Sequence, residues 1–285
     1  MIALRKDIRP SQAKLDQLEV FQAAIEEKTT FAEKSAEAKR LFSLRNTKKN
    51  PVFKEVKACL SKMCNSTRRC VYCEDSIGDE VEHIFPKDLY PDKCFSWENY
   101  VYACGPCNGP KNNMFAVFKQ SDGQFIEVNP TRGTSASQPP PGEAALINPR
   151  IEDPLEFAIL DLSGTFKFYP LPDLDPKNKK RTEYTYDDVL RLNHEEREPL
   201  RQARENAFGM FKARLSEYVS MKTKGVHQNK LDKLIDGIKK ENHPTVWKEM
   251  QRYYNDDLLK KVDPKLEDLK ELEKLFDSAP EALTW

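Results

Sequence analysis

Cys70 and Cys73 form one Cys-x-x-Cys pair, and Cys104 and Cys107 form a second about thirty residues further on. Two thiolate pairs at that spacing match a closed tetrahedral zinc site, which would pin both ends of the segment between them. Inside the segment stand Glu82 and His83, and Asn108 follows the last cysteine directly. A carboxylate and a carboxamide supply hard oxygen ligands of the kind Mg²⁺ or Mn²⁺ takes. A neutral imidazole with an ordinary pKa of about 6.5 can accept a proton from water near neutral pH. On spacing alone the cysteines also suit a structural zinc ribbon. Glu82, His83 and Asn108 weigh against that bland alternative.

The run from Cys70 to Asn113 resembles the HNH (ββα-metal) endonucleases. The resemblance rests on Glu82-His83-Ile84 with Pro86, on Trp97-Glu98-Asn99, and on Cys104-x-x-Cys107-Asn108-x-x-Lys111, in family order and at family spacing. It implies metal-dependent hydrolysis of nucleic-acid phosphodiester bonds, with His83 as general base and Glu82 and Asn108 holding one Mg²⁺ or Mn²⁺. Asn99 would be a positioning residue that ties the loop to the site. Glu82 departs from the pattern, in which Asp or His is commoner. A looser likeness runs from Cys70 to about Val219, on Leu146-Ile147-Asn148-Pro149, Asp153-Pro154, Ser163-Gly164 and Leu190-Arg191-Leu192-Asn193 with Arg201 and Arg204. In these the chain is similar to the HNH nucleases of Septu-type and retron-associated antiphage defence systems, which implies a bacterial effector gated by a separate ATPase. Two other roles stay open: a noncatalytic zinc adaptor that binds nucleic acid or an ATPase, and a stand-alone restriction or mobile-element nuclease.

These residues need elements to carry them. Val81 to His83 reads as a strand end, because Glu80, Glu82 and His83 cannot all face one side of a regular strand. A loop from Pro86 and a second strand from Asn99 to Tyr102 would bring that end to a helix beginning near Asn108. A helix N-terminus favours anions, so the scissile phosphate would lie there, with Lys111 one turn on as a phosphate contact.

Charge is balanced, with 46 basic and 46 acidic residues, but its distribution is not. Lys39, Arg40, Arg45, Lys48, Lys49, Lys54, Lys57, Lys62, Arg68 and Arg69 share their stretch with one acid, Glu55. That is either a footprint for a phosphate backbone or a solvated helical face. Lys48, Lys49, Arg68 and Arg69 are its nucleic-acid candidates, with DNA ahead of RNA. Seven cysteines, an odd number, with no signal peptide and no long apolar run point to a reducing cytoplasm and no membrane span. Cys59, Cys64 and Cys94 are expected as small buried residues, Phe95 and Trp97 as core. No Gly-x-x-x-x-Gly-Lys loop is present, so any ATPase is a partner.

The expected fold is α+β, mainly helical, with an embedded zinc-stapled ββα-metal core. Four regions are expected: 1–57, helical and basic; 58–118, the zinc-bearing core; 119–180, short strands and a loop over Thr131–Gly142; 181–285, helical. Ser11 is a candidate N-cap for a helix carrying Leu15, Leu18, Phe21 and Ile25. Gln120–Val128 and Leu155–Tyr169 alternate as strands. Leu200, Ala203, Ala207, Phe211, Leu215 and Val219 keep one helical face, and the C-terminal stripes are expected mainly as core. The last helix, capped by Asp263-Pro264 and carrying Leu266, Leu269, Leu272 and Leu275, is the best candidate for docking a partner instead.

Overall fold

A computed structural model describes residues 1–64, 68–129, 137–255 and 267–285. Helices and strands are mixed, and helices predominate. Three helices come first: α1 (Gln12–Glu26), α2 (Phe31–Arg45) and α3 (Pro51–Met63). A capping box between Thr30 and Glu33 starts α2, and the Asn50 side chain accepts from Val52 N at the start of α3. Ser11 sits at the N-cap of α1 without capping it by its side chain. Its backbone N–H instead donates to Glu55 Oε1 on α3, 2.6 Å away.

The buried face of α3, with Phe53 fully enclosed, lies against a two-stranded antiparallel ribbon of β1 (Glu80–His83) and β2 (Tyr100–Ala103). A short helix, α4 (Gly105–Lys111), follows. Burying each such apolar side chain contributes about 1.5–3 kcal/mol, so this helical layer is a main source of the ribbon's rigidity. Gly78 is needed where the chain enters it: a Cβ there would lie 3.2 Å from Tyr102 O and 3.4 Å from Cys70 Cα.

Beyond the ribbon, β3 (Ala116–Lys119) lies between β4 (Phe125–Glu127) and β5 (Gly142–Ala144). The strand expected over Gln120–Val128 is therefore only its second half, since Gln120–Gln124 makes the turn back from β3. The Leu155–Tyr169 alternation is a hairpin of β6 (Ala158–Leu160) and β7 (Phe168–Pro170). Its turn is organised by the Asp161 carboxylate, which accepts from Ser163 N at 2.8 Å and Thr165 N at 2.9 Å. Half of the Thr131–Gly142 loop, residues 131–136, and the Asp263-Pro264 cap with Leu266 lie outside the described residues.

The C-terminal helices are α5 (Pro176–Glu183), running into a π-helical turn at Tyr184–Val189, then α6 (Glu198–Thr223), α7 (Gln228–Lys239), α8 (Pro244–Asn255) and α9 (Glu267–Ser278). Of the two readings of the last helix, the core one holds over partner docking. Leu269, Leu272 and Phe276 of α9 are buried against this chain's own core, with the Trp247 and Phe276 rings 5.8 Å apart. No described helix is long and apolar enough to cross a membrane.

Candidate zinc site and catalytic cleft

Cys70, Cys73, Cys104 and Cys107 are all buried, and their sulfurs lie within 4.8 Å of one another. The Cys73 and Cys104 sulfurs are 3.7 Å apart. A tetrahedron of Zn–S bonds of about 2.3 Å has edges of about 3.8 Å, so the four side chains fit a zinc ion in the geometry they already hold. The remaining cysteines, Cys59, Cys64 and Cys94, are buried and stand outside the cluster.

Each cysteine pair belongs to a turn that the C-terminal helices hold. Glu74, at a φ of 62°, accepts from Thr245 N at 3.0 Å and from Thr245 Oγ1 at 2.6 Å, where α8 begins. His243 Nε2 lies 3.6 Å from Asp75 Oδ1, and Arg69 donates to Asn242 Oδ1 at 3.0 Å and Asp75 O at 2.7 Å. On the other turn, Arg197 reaches Pro106 O and Cys107 Sγ. Thr245, His243, Asn242 and Arg197 had no sequence signal as partners, because each joins a cysteine turn far away in the chain.

The ribbon and α4 wall one side of a polar cleft of about 490 Å³, and the end of α2 walls the other. Glu80, Glu82, His83 and Asn108 line it together, so the strand does end at His83, which lets all three β1 side chains reach one space. Phe42, Asn46, Lys87 and Asn112 also line it. Sequence reasoning missed Phe42, Asn46, Glu80 and Lys87. Lys87 follows Pro86 directly and was findable, whereas Phe42 arrives from a separate helix.

His83 is 4 % exposed and held on three sides. Its Nε2 lies 2.9 Å from Cys94 O. A carbonyl only accepts, so Nε2 carries the hydrogen and Nδ1 is left as the ring's basic nitrogen. Phe42 packs edge-on at 4.4 Å and Tyr100 at 5.2 Å, while the Tyr100 hydroxyl donates to the same Cys94 carbonyl at 2.7 Å. Burial, with Lys87 and Lys111 as nearby cations, pushes the His83 pKa down from 6.5 to about 3. The ring is therefore neutral, and its NMR resonances should stay fixed in a titration from about pH 8 to about pH 5. A His83 resonance that moves with a midpoint near about 6.5 would contradict the neutral, Nε2-protonated ring. The depressed folded value has a definite sign for stability. The unfolded chain takes up a proton that the folded ring resists, so this group's contribution is lost as pH falls from 6.5 toward about 3.

Asn99 is buried and closes the loop after β1: Nδ2 donates to Phe85 O at 2.9 Å and Lys93 O at 3.0 Å, and Oδ1 accepts from Phe85 N at 2.7 Å. Asn108 donates from Nδ2 to Glu80 Oε2 at 2.6 Å, which turns its carboxamide oxygen elsewhere.

Three expectations need correction. Lys111 cannot meet a phosphate: it is 0 % exposed, donates to His83 O at 2.7 Å, and lies 2.5 Å from Glu82 Oε1. The helix does not begin near Asn108. It begins at Gly105, with Cys104 at its N-cap and Cys107 in its first turn, so the cysteine turn takes up that end. Among the basic candidates Lys48, Lys49 and Arg68 are exposed, but Arg69 is half-buried and committed to Asn242 and Asp75.

Burial raises the Glu82 pKa while the Lys111 ammonium opposes the rise. Glu82 Oε1 is taken by that ammonium, 2.5 Å away. Two carboxylates, of Glu82 and Glu80, beside the Asn108 carboxamide are oxygen donors of the kind a hard divalent cation takes.

Over 61 residues the chain is 41% identical to Septu protein PtuB of Bacillus thuringiensis. The match spans 20% of this chain and 23% of that protein. No family model matches, and no solved structure matches.

Proposed function

We propose that this chain is a metal-dependent HNH-type endonuclease, the nuclease effector of a bacterial antiphage defence system that works with an ATPase partner. The observation that carries the reading is His83: its Nε2 is committed to Cys94 O, and the ring faces a cleft that Glu80, Glu82 and Asn108 also line. A base so held keeps one tautomer through the reaction and needs no reorganisation to take a proton from water at Nδ1. Asn99 positions the loop that supplies the Cys94 carbonyl. Glu82 and Asn108 are the oxygens that would hold Mg²⁺ or Mn²⁺, with Glu80 beside them. When bound, that ion supplies Lewis-acid polarisation of the phosphate and stabilises charge on the leaving oxygen. The partial likeness to a Septu protein supports the defence role and, with it, the ATPase partner.

The decisive experiment incubates zinc-loaded protein, with and without its ATPase, against plasmid DNA and RNA in Mg²⁺, with the His83→Ala variant alongside. Cleavage by wild type alone supports the reading. The Lys111 ammonium against Glu82 favours one alternative, a noncatalytic zinc adaptor, for which both proteins bind and neither cleaves.

The exposed cations Lys48, Lys49 and Arg68 are the proposed backbone contacts, with Lys87, half-exposed at the cleft beside His83, as a further one. Every phosphate left unneutralised should flatten the log–log dependence of affinity on salt by about 0.7–0.9. Reversal of all three exposed residues to Glu should therefore lower the slope by about 2–3 and weaken binding to every sequence alike. An unchanged slope, measured by anisotropy across a salt series, would make this stretch a solvated face. Loss of ATPase binding with an unchanged slope would make it a protein-binding face.

A further inference from the structure

We infer that Arg197 is a positioning residue of the zinc site, which locks the Cys104–Cys107 turn to the start of α6 and shields the Cys107 thiolate. The inference rests on the zinc assignment and is independent of the nuclease reading. It begins with a gap that the sequence leaves in α4. Pro110 has no N–H, so the carbonyl four residues earlier, on Pro106, loses its helical donor. Arg197 supplies a donor in its place: its Nη1 donates to Pro106 O at 2.8 Å. The same guanidinium places Nη2 3.4 Å from Cys107 Sγ. One planar fork thus satisfies an orphaned backbone oxygen and a sulfur ligand together, a pairing that a lysine's single ammonium cannot reproduce.

Electrostatics make that placement useful. Four thiolates around one divalent zinc carry a net charge of about −2, and these four are buried. Buried charge needs compensation. Arg197 is the cation in contact with a ligand sulfur. Arg204, further along α6, is 2 % exposed, donates to Phe166 O at 2.8 Å and leaves Nη2 without a partner. Its pKa is lowered by burial to about 10, with Glu74 and Cys73 as the nearest opposing charges. An N–H directed at a thiolate withdraws electron density from it, which reduces its nucleophilicity and its tendency to leave the metal. The C-terminal helical region therefore acts on the Cys104–Cys107 turn through the Arg197 side chain.

The test uses full-length zinc-loaded protein. Zinc transfer to a chromogenic chelator and alkylation of Cys107 by iodoacetamide, mapped by mass spectrometry, are followed in Arg197→Gln and Arg197→Lys. The glutamine variant should release zinc about tenfold faster or more, the scale on which outer partners of metal ligands act, and Cys107 should become the first cysteine alkylated. The lysine variant should fall between the two, because it restores charge without the fork. Arg214→Gln, on the helix whose N-cap is Arg197, removes the ion pair from α6 to Glu241 beyond α7 and should release zinc at the wild-type rate. Wild-type release from Arg197→Gln would overturn the inference. So would equal acceleration by Arg214→Gln, which would make the effect one of helix stability. If the glutamine variant does not fold, the lysine variant decides: wild-type release there overturns the claim. A wild-type chain purified without zinc overturns it together with the zinc assignment.

Discussion

His83→Ala is expected to lower cleavage by about 10²–10⁴-fold, the contribution of a positioned general base, with zinc content unchanged. The size follows from what is removed. Nδ1 is the ring's basic nitrogen, and the neighbouring lysines suit orientation and charge but not proton uptake. His83 is also a packed aromatic between Phe42 and Tyr100, so alanine leaves a cavity as well as a missing base. A second variant, His83→Gln, keeps more of the volume and still removes the base. Both should lose activity alike while differing in thermal stability. The four-cysteine cluster is made of other side chains entirely, so metal analysis reports whether the fold survives. Full cleavage by either variant, in preparations free of contaminating nuclease, would remove His83 from the chemistry.

Cys104→Ser should have the larger structural effect. Structural zinc sites contribute about 10–16 kcal/mol of binding free energy that is also folding free energy, against a typical domain stability of about 5–15 kcal/mol. Cys104 is the N-cap of α4 and a quarter of the ligand set, so its loss should free the helix that carries Asn108 and Lys111. Expected are about one zinc per wild-type chain, little in the variant, and loss of the cooperative unfolding transition. The Glu74–Thr245 and Arg69–Asn242 hydrogen bonds should keep the first cysteine turn docked, which makes the damage greatest around α4. Cys64→Ala, at a buried cysteine outside the cluster, is the matched control and should retain its zinc. Wild-type zinc content and melting in Cys104→Ser would refute the assignment.

Some of this was legible in the sequence for a physical reason. Metal ligation constrains residue type and local spacing at once, so two Cys-x-x-Cys turns were visible without coordinates, and so was the break in strand geometry at Glu80, Glu82 and His83. Hydrophobic periodicity placed α1 and α6 on the same footing. The fate of each charged side chain was different. Lys111 looked like a phosphate contact and is enclosed between Glu82 and the His83 carbonyl. Arg69 sits beside Arg68 in a basic run, yet one is tied to Asn242 and the other exposed. Charge is written in the residue, but burial depends on which faces meet. Phe42 against His83, α9 folded onto its own core, and Arg197 taking the carbonyl that Pro110 leaves open all join segments distant in sequence. No local rule specifies those pairings, so only the tertiary structure could decide them.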